Sequence, residues 1–500
     1  MTRGAIAAGT AFALVSSMSD QAPGLRRGAI GLREVLFQSV ASMAPAGSVG
    51  FSLILGAKYA GGALSLSVLI ALLPCLSIAL SLAEMARHMP SAGAFFTFPS
   101  RALHPAAGFL AAWAYIYICA SSSGVLAVLL ALQLRGALGL APGLATWAIS
   151  AAAVVLSLVA VWALSVRGVR SSAKAGTWVG LTETAVLCAL ALVLLYLHRG
   201  SASIEPFLPR SADVKGFEGW SGIIAGAVYA TLAFQGFEAA APLAEEARDP
   251  ARTVPRAVIL SCLFGAGVYL LTTYAATLAL GGPAFSRFTV TDEGSHWLPL
   301  ARSTWAPFGP LLSLAFLSSL LGGQNAAFNA LTRTWFSMGR SGVLPAALAR
   351  THPIHGSPHV AAAVQLAVSL LVAGLAIPFG ATAVVELNAT ASAALVIALY
   401  VLLNLSCIAF FLREQRKELR PWLHVAVPLL GIAGMVPAFF VSLGITSRWM
   451  PFVTPLSGPA ALAGVLILAW MLLGVGVLGV VAWRRPAELA RGGAALTGAP

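Results

Sequence analysis

Charge is scarce in this 500-residue sequence, and acidic charge is the scarcest. Charged residues make up 9% of the chain, against roughly 25% in soluble domains. Asp and Glu number 17, whereas Lys and Arg number 30. With 59% hydrophobic residues, the composition excludes a soluble protein and leaves no room for a soluble domain. It predicts a protein that crosses the membrane many times.

Paired cysteines are also lacking. The five cysteines all fall in apolar runs without paired spacing, which excludes a disulfide framework and a metal cluster: Cys75, Cys119, Cys188, Cys262 and Cys407. The sequence has no phosphate-binding loop, no nucleophile arrangement and no histidines at ligand spacing. We therefore expect neither an enzyme nor a protein with a bound metal or organic cofactor.

Long apolar runs are abundant. A membrane-spanning helix needs about 20 mainly apolar residues. The sequence predicts twelve such spans, at 35–57, 63–86, 106–133, 144–164, 175–197, 220–243, 257–280, 308–333, 359–378, 382–411, 423–444 and 459–483.

The cationic residues are distributed unevenly between the two sides of these spans. With the N-terminus inside, 22 of the 30 Lys and Arg fall on cytoplasmic segments. The positive-inside rule then predicts a multi-pass protein of the cytoplasmic membrane with both termini in the cytoplasm. This asymmetry explains the net charge of +13 without a nucleic-acid partner; the lipid bilayer is the expected surrounding.

The two chain ends are predicted to lie outside the membrane. Residues 1–30 are expected to be a disordered cytoplasmic N-terminus, and 486–500 a cytoplasmic tail. The residues after Met18 resemble an ordinary N-terminus more than those after Met1 do. Residues 1–17 are therefore interpreted either as a disordered extension or as the result of a translation start assigned too far upstream.

Two of the apolar runs contain helix-breaking sequences. The first span carries Pro-Ala-Gly-Ser-Val-Gly at 45–50, and the sixth carries Leu-Ala-Phe-Gln-Gly-Phe-Glu at 232–238. Proline removes an N–H and clashes with the preceding turn, and glycine lowers the cost of leaving the helix. Broken helices in comparable positions of two halves indicate a secondary transporter. The alternative for each is a simple kink with small residues for helix packing.

The two breaks are chemically complementary. A helix that restarts near Ser48 would direct free N–H groups and its positive dipole end into the membrane centre, where they suit a carboxylate. Non-helical backbone at Phe234-Gln235-Gly236 would leave carbonyls free to accept from an ammonium group. An α-amino acid carries both groups at that spacing, so the breaks predict an amino acid or a related amine as substrate.

Five stretches, taken in order, resemble the amino acid–polyamine–organocation transporter superfamily. They are Leu-Ala-Glu-Met-Ala-Arg-His-Met-Pro-Ser-Ala-Gly at 82–93, Gly-Phe-Leu-Ala-Ala-Trp at 108–113, Phe-Gln-Gly-Phe-Glu at 234–238, the segment 245–257, and 325–345. The resemblance implies an all-α fold of two inverted five-helix repeats, with helices 1 and 6 broken, plus two C-terminal helices. Within a transporter domain of 31–485, this places the repeats at 31–200 and 216–412, and helices 11 and 12 at 421–485.

The resemblance also assigns substrate-binding positions. Backbone amides of Ala46, Gly47 and Ser48 are expected to bind the carboxylate, although Pro45 and Ala46 replace part of the family's glycine-rich run. The resemblance implies further substrate-binding positions at both breaks. At the first break these are the carbonyls of Met43 and Ala44, and at the second break they are Leu232, Ala233, Phe234, Gln235 and Gly236. Leu232 stands where many members have an aromatic gate, so either Phe234 gates the site or the site is less tightly closed.

Four polar residues are candidates for ion coupling. Glu183 lies in the middle of span 5, where some proton-coupled relatives carry a lysine, and Glu238 follows the second break; either carboxylate could exchange a proton. Ser318 and Ser319 in span 8 could supply oxygens for Na⁺. The alternatives are a neutral Glu183 hydrogen-bonded between helices and serines that bond to helix carbonyls. A proton is favoured over Na⁺, because it needs only one titratable group.

The sequence therefore predicts a secondary active transporter that moves amino acids or related amines across the membrane by alternating access, in cation-coupled symport. The alternatives are an amino acid/amine exchanger and a transport-dead amino acid sensor. Neither the side chain of the substrate nor the oligomeric state is indicated.

Overall fold

The computed structural model describes residues 31–89, 94–167, 172–243, 247–288, 290–291, 294–340 and 344–484. Within them, eleven helical runs are long and apolar enough to cross a membrane. The first run, Leu32–His88, has 57 residues and would measure about 85 Å as one helix, far beyond the roughly 30 Å hydrocarbon core. The chain turns at Gly61, whose φ is 52°. The run therefore makes two passes, and the described residues contain the twelve predicted spans.

We number the spans α1 to α12. Helix α1 consists of Leu32–Met43, Pro45–Gly47, the π-helical Ser48–Leu53 and Ile54–Ala60. It is followed by α2 (Leu64–His88), α3 (Pro105–Leu138), α4 (Leu144–Arg167) and α5 (Ser172–Leu197). Helix α6 is Trp220–Phe234 with the 3₁₀ segment Phe237–Leu243, and α7 and α8 are Pro250–Leu280 and Phe308–Arg340.

The remaining spans complete the bundle. Helix α9 is His359–Gly374 with Ala376–Phe379, and α10 is Ala381–Arg413. Helix α11 begins with the π-helical Trp422–Ala426 and continues as Val427–Leu443. Helix α12 comprises the 3₁₀ turn Gly458–Leu462 and Ala463–Arg484. The prediction of an all-α polytopic membrane fold is confirmed, whereas its division into repeats at 31–200 and 216–412 stays a prediction.

Short elements occupy the connections. Two antiparallel hairpins pair β1 (Asp213–Val214) with β2 (Phe217–Glu218), and β3 (Val290–Thr291) with β4 (Gly294–Ser295). The short helices are Ala94–Ala102, Gly282–Phe285 and Trp297–Thr304. Single 3₁₀ turns lie at Gly61–Ala63, Arg199–Ser201, Glu205–Phe207, Pro209–Ser211, Ala346–Ala349 and Arg416–Glu418.

Apolar side chains cover the outside of the bundle, as a bilayer requires. On α12, Leu468 and Leu472 are each 60% exposed, and α4 is likewise mostly exposed along its apolar length. The interior instead holds four buried tyrosines whose hydroxyls all have hydrogen-bond partners: Tyr59, Tyr229, Tyr269 and Tyr400. A buried tyrosine needs such a partner for its hydroxyl, and these bonds connect α1, α6, α7 and α10 around the two predicted breaks.

Candidate functional site

The first break lies at Ala44. The helix Leu32–Met43 ends there because Ala44 adopts a left-handed conformation, with φ 43° and ψ 65°. It is the only non-glycine residue with positive φ among the described residues. The helix restarts at Pro45, since the fixed φ of proline suits a first helical position. The predicted break is confirmed, but the predicted restart near Ser48 is wrong by three residues.

This earlier restart changes which N–H groups are free. The Ser48 amide donates to the Ala44 carbonyl at 2.9 Å. The Gly47 amide donates to the Ser319 hydroxyl on α8, also at 2.9 Å. Within the described part of the chain, only the Ala46 amide of these three has no hydrogen-bond partner. Two of the three donors assigned to a carboxylate are thus occupied by groups of the protein itself.

The second break lies at Gln235 and Gly236. Helix α6 ends at Phe234, Gln235 is extended with ψ 134°, and Gly236 has a φ of +115° that suits glycine. The Ala233 carbonyl has lost its helical partner and accepts from the Tyr269 hydroxyl at 2.7 Å. It lies 3.2 Å from the Ser48 hydroxyl as well.

The two breaks are in direct contact. A Cβ atom on Gly236 would lie 2.6 Å from the Met43 nitrogen, so only glycine fits against this peptide. The Ser48 hydroxyl lies 2.9 Å from the Met43 carbonyl and 3.2 Å from the Ala233 carbonyl. Its single proton is therefore shared between one carbonyl of α1 and one of α6, each beside its break. The backbone groups that the sequence singles out in α1 and α6 thus form one site.

The side chains at this site differ in accessibility. Leu232 and Gln235 are partly exposed, and so are Ala44 and Gly47 in α1. Phe234 is fully buried, with its ring edge against Tyr269 at a centroid distance of 5.3 Å. Of the two gate alternatives, Leu232 has the accessible side chain, and Phe234 packs in the interior.

Three of the four ion-coupling candidates come together beside the first break. The Ser318 hydroxyl donates to the Glu183 carboxylate at 2.6 Å, and the neighbouring Ser319 accepts from the Gly47 amide. Glu183 is 4% exposed, and no ion pair of Glu183 occurs among the described residues. A buried carboxylate without a cation is costly when ionised. The cluster can therefore hold a proton or bind a cation.

Glu238 lies apart from this cluster and holds the second break. Its carboxylate accepts from the Gly236 amide at 2.9 Å and from the Tyr400 hydroxyl at 3.1 Å. The first of these bonds satisfies a backbone donor that the break leaves without a helical partner. Its observed contacts are those of a residue that stabilises the irregular backbone.

Two contacts of α1 with distant parts of the chain were missed in the sequence analysis. Trp297, in the connection after α7, is 1% exposed and donates from its indole to the Val49 carbonyl at 3.0 Å. Glu386 of α10 accepts from Lys58 at 2.7 Å and from Tyr59 at 2.8 Å. An acid inside a predicted span is the signal that could have identified Glu386. No pattern identifies Trp297, because its contact spans 248 residues.

Comparison with known proteins gives the family. The model of a family described as amino acid permease matches residues 30–477. The branched-chain amino acid permease BcaP of Bacillus subtilis is 28% identical over 84% of this chain and 86% of its own length. The low-affinity putrescine importer PlaP of Escherichia coli K12 is 28% identical over 75% of this chain and 79% of its own length.

A third relative has a different named substrate. The methylthioribose transporter of Bacillus subtilis is 26% identical over 79% of this chain and 83% of its own length. The relatives thus share the membrane-transport function and differ in what their names say they carry. The family match spans both broken helices and the Glu183 cluster between them. The chain belongs to the amino acid permease family and is a multi-pass membrane transporter, not an enzyme.

Proposed function

We propose that the protein is a secondary active transporter that moves amino acids or related amines across the cytoplasmic membrane by alternating access. The observation that carries this proposal is the direct contact between the breaks in α1 and α6. It gathers backbone donors and acceptors at one place inside the membrane, where unpaired polar groups are otherwise too costly to keep. The excess of Lys and Arg on one side supports cytoplasmic termini.

The substrate groups take the places that hydroxyls now occupy. Ser319 accepts from the Gly47 amide, which is the position that a substrate carboxylate would take beside the unpartnered Ala46 amide. Tyr269 and Ser48 interact with the Ala233 carbonyl, which is the position of the substrate ammonium group. Binding in this proposal exchanges hydrogen bonds within the protein for bonds to the ligand. Leu232 and Gln235 then face the substrate side chain.

Coupling to a cation is assigned to Glu183 with Ser318 and Ser319. The Gly47–Ser319 hydrogen bond connects this cluster to the carboxylate position, so substrate binding and the state of the cluster affect each other. A proton is favoured over Na⁺ because Glu183 alone can carry it. The Ser318 hydroxyl, one of the oxygens of the Na⁺ cage that the sequence suggests, already donates to Glu183.

A binding screen followed by flux measurement tests the function. Thermal unfolding of the purified protein is measured with each amino acid and with polyamines; a ligand at 100 times its Kd stabilises a protein by about 2.7 kcal/mol. The names of the relatives make branched-chain amino acids and putrescine the first compounds to test. Uptake of the ligand that this screen identifies is then measured in proteoliposomes.

The exchanger and the sensor, the two alternative functions, differ from a symporter in the flux that they produce. An exchanger of amino acids or amines moves labelled substrate only when substrate is present on both sides of the membrane. A transport-dead sensor binds its ligand and gives no flux under any gradient. Net uptake into vesicles without internal substrate supports the symport proposal and contradicts both alternatives.

A further inference from the structure

A cavity of about 500 Å³ lies between the end of α2 and the connection from α10 to α11. It is on the side that we propose to be cytoplasmic, away from the breaks in α1 and α6. Its volume falls within the range of small-molecule sites, about 300–1,000 Å³. None of the residues assigned to substrate or ion coupling lines it.

Positively charged side chains outnumber acidic ones in the lining of this cavity. Arg87, Lys417 and Arg420 contribute three cations, and Glu84 and Glu418 contribute two acids. Arg87 is already paired with Glu84 at 2.7 Å. The Lys417 and Arg420 side chains are exposed, and neither has an ion pair within the part of the chain that the structure describes.

His88 lies between two acceptor groups at the edge of this cavity. Its Nδ1 lies 2.8 Å from the Glu84 carbonyl oxygen, and its Nε2 lies 3.0 Å from the Glu418 carboxylate. With Arg87 paired to Glu84, the two cations Lys417 and Arg420 face the single acid Glu418, so the lining has a net positive charge.

His424 is neutral in this arrangement. Its Nδ1 accepts from the Arg420 amide at 3.1 Å, so the ring proton is on Nε2, which faces the Glu84 carboxylate at 3.4 Å. The ring stacks on Phe411 and is 2% exposed. It fixes the turn that carries Arg420 into the cavity lining.

The backbone around the cavity also favours an anion. Ala251, the second residue of the 31-residue helix α7, lines it, and α11 begins at Trp422, two residues after Arg420. Helix N-termini carry a partial positive charge that attracts anions. Trp422 is 70% exposed, and tryptophan is enriched at the headgroup level of membranes.

We propose that this cavity binds a phosphate group, carried by an anionic phospholipid headgroup of the inner leaflet or by a soluble phosphate. Lys417 and Arg420 supply the charge, and the first turns of α7 and α11 lie beside it. The proposal goes beyond transport and does not depend on which substrate the protein carries. Binding can therefore be tested on protein that is not transporting.

The test is thermal unfolding of the purified full chain in detergent, with three probes. These are dioleoyl phosphatidylglycerol, dioleoyl phosphatidylcholine, and inorganic phosphate at constant ionic strength. The Lys417→Gln, Arg420→Gln double variant removes both cations. The matched control is Arg256→Gln, Arg350→Gln, which removes two exposed arginines from the same side, outside the cavity.

Phosphatidylglycerol is expected to stabilise the wild type and the control, whereas phosphatidylcholine is not. The apparent affinity of the Lys417→Gln, Arg420→Gln variant should fall about 30-fold, since each cation near a membrane surface contributes roughly fivefold. The same pattern with inorganic phosphate alone supports the site and identifies a soluble ligand. Equal responses of the wild type and both variants to every probe, or equal losses in the two variants, would overturn the proposal.

Discussion

The Gly47 amide donates a hydrogen bond to the Ser319 hydroxyl at 2.9 Å, which joins the break in α1 to α8. The residue before Ser319, Ser318, donates to Glu183 on α5 at 2.6 Å. Adjacent serines thus contact the predicted carboxylate site on one side and a buried acid on the other. A change in the state of Glu183 has a path of two hydrogen bonds and one peptide unit to the substrate.

Removing the Ser319 hydroxyl should weaken this connection. In Ser319→Ala the partly buried Gly47 amide loses its partner, and a hydrogen bond of this kind contributes about 0.5–1.5 kcal/mol. We expect the apparent affinity for substrate in uptake assays to change by about tenfold and its dependence on the driving cation to decrease. Ser313→Ala is the control, because among the described residues the Ser313 hydroxyl bonds only to Gly309 of its own helix. Identical kinetics in the two variants would show that Ser319 has no part in coupling.

Glu183→Gln tests the acid itself. Glutamine keeps the size of the side chain and an oxygen that can accept from Ser318, but it cannot exchange a proton. We expect uptake to lose its pH dependence, or uptake to be lost while binding in thermal-shift assays remains. Glu238→Gln serves as a comparison, since the Glu238 carboxylate holds the Gly236 amide; it should lower stability more than it alters pH dependence. A Glu183→Gln protein with an unchanged pH profile would make Glu183 a structural residue.

A side chain at Gly236 should destabilise the fold. Gly236→Ala places a Cβ atom 2.6 Å from the Met43 nitrogen at a φ of +115°, and such backbone strain costs about 1–3 kcal/mol. We expect a lower melting temperature together with weaker substrate binding. Gly267→Ala in α7 is the control, since a Cβ there meets nothing within 4 Å, and its stability should be unchanged or slightly raised. A Gly236→Ala protein as stable as Gly267→Ala would contradict the contact between the breaks.

The ion pair between Lys58 and Glu386 joins α1 to α10 at 2.7 Å. The Glu386 side chain is only 11% exposed, whereas that of Lys58 is 37% exposed. Glu386→Gln should therefore destabilise the protein more than Lys58→Gln does, because it also weakens the hydrogen bond from Tyr59. A double-mutant cycle should give a coupling energy of about 1 kcal/mol. Additive effects of the two substitutions on unfolding would mean that the pair contributes nothing.

The sequence predicts the breaks because their causes are local. Pro45 and Gly236 disfavour a continuous helix through their own chemistry, and both breaks occur where the residues predict them. The restart of α1 was predicted three residues too late, since the left-handed turn at Ala44 is a conformation that alanine rarely adopts and that packing must stabilise.

Contacts between distant helices could not be predicted in this way. Whether Ser318 faces Glu183 depends on the rotation of α8 against α5, which no local pattern determines. The hydrogen bond between Ser319 and Gly47, which are 272 residues apart, likewise depends on how the helices pack. Burial of Glu183 was predictable from its position in an apolar run, but its partners were not.

Uptake driven by a proton gradient tests the central claim most directly. Proteoliposomes containing the wild type are loaded with sodium-free buffer, and an inward proton gradient is imposed in the presence of the labelled ligand found by thermal shift. Our account predicts net accumulation that an uncoupler abolishes and that Glu183→Gln lacks. Strict dependence on Na⁺ that disappears in a Ser318→Ala, Ser319→Ala variant, or no accumulation under either gradient, would contradict it.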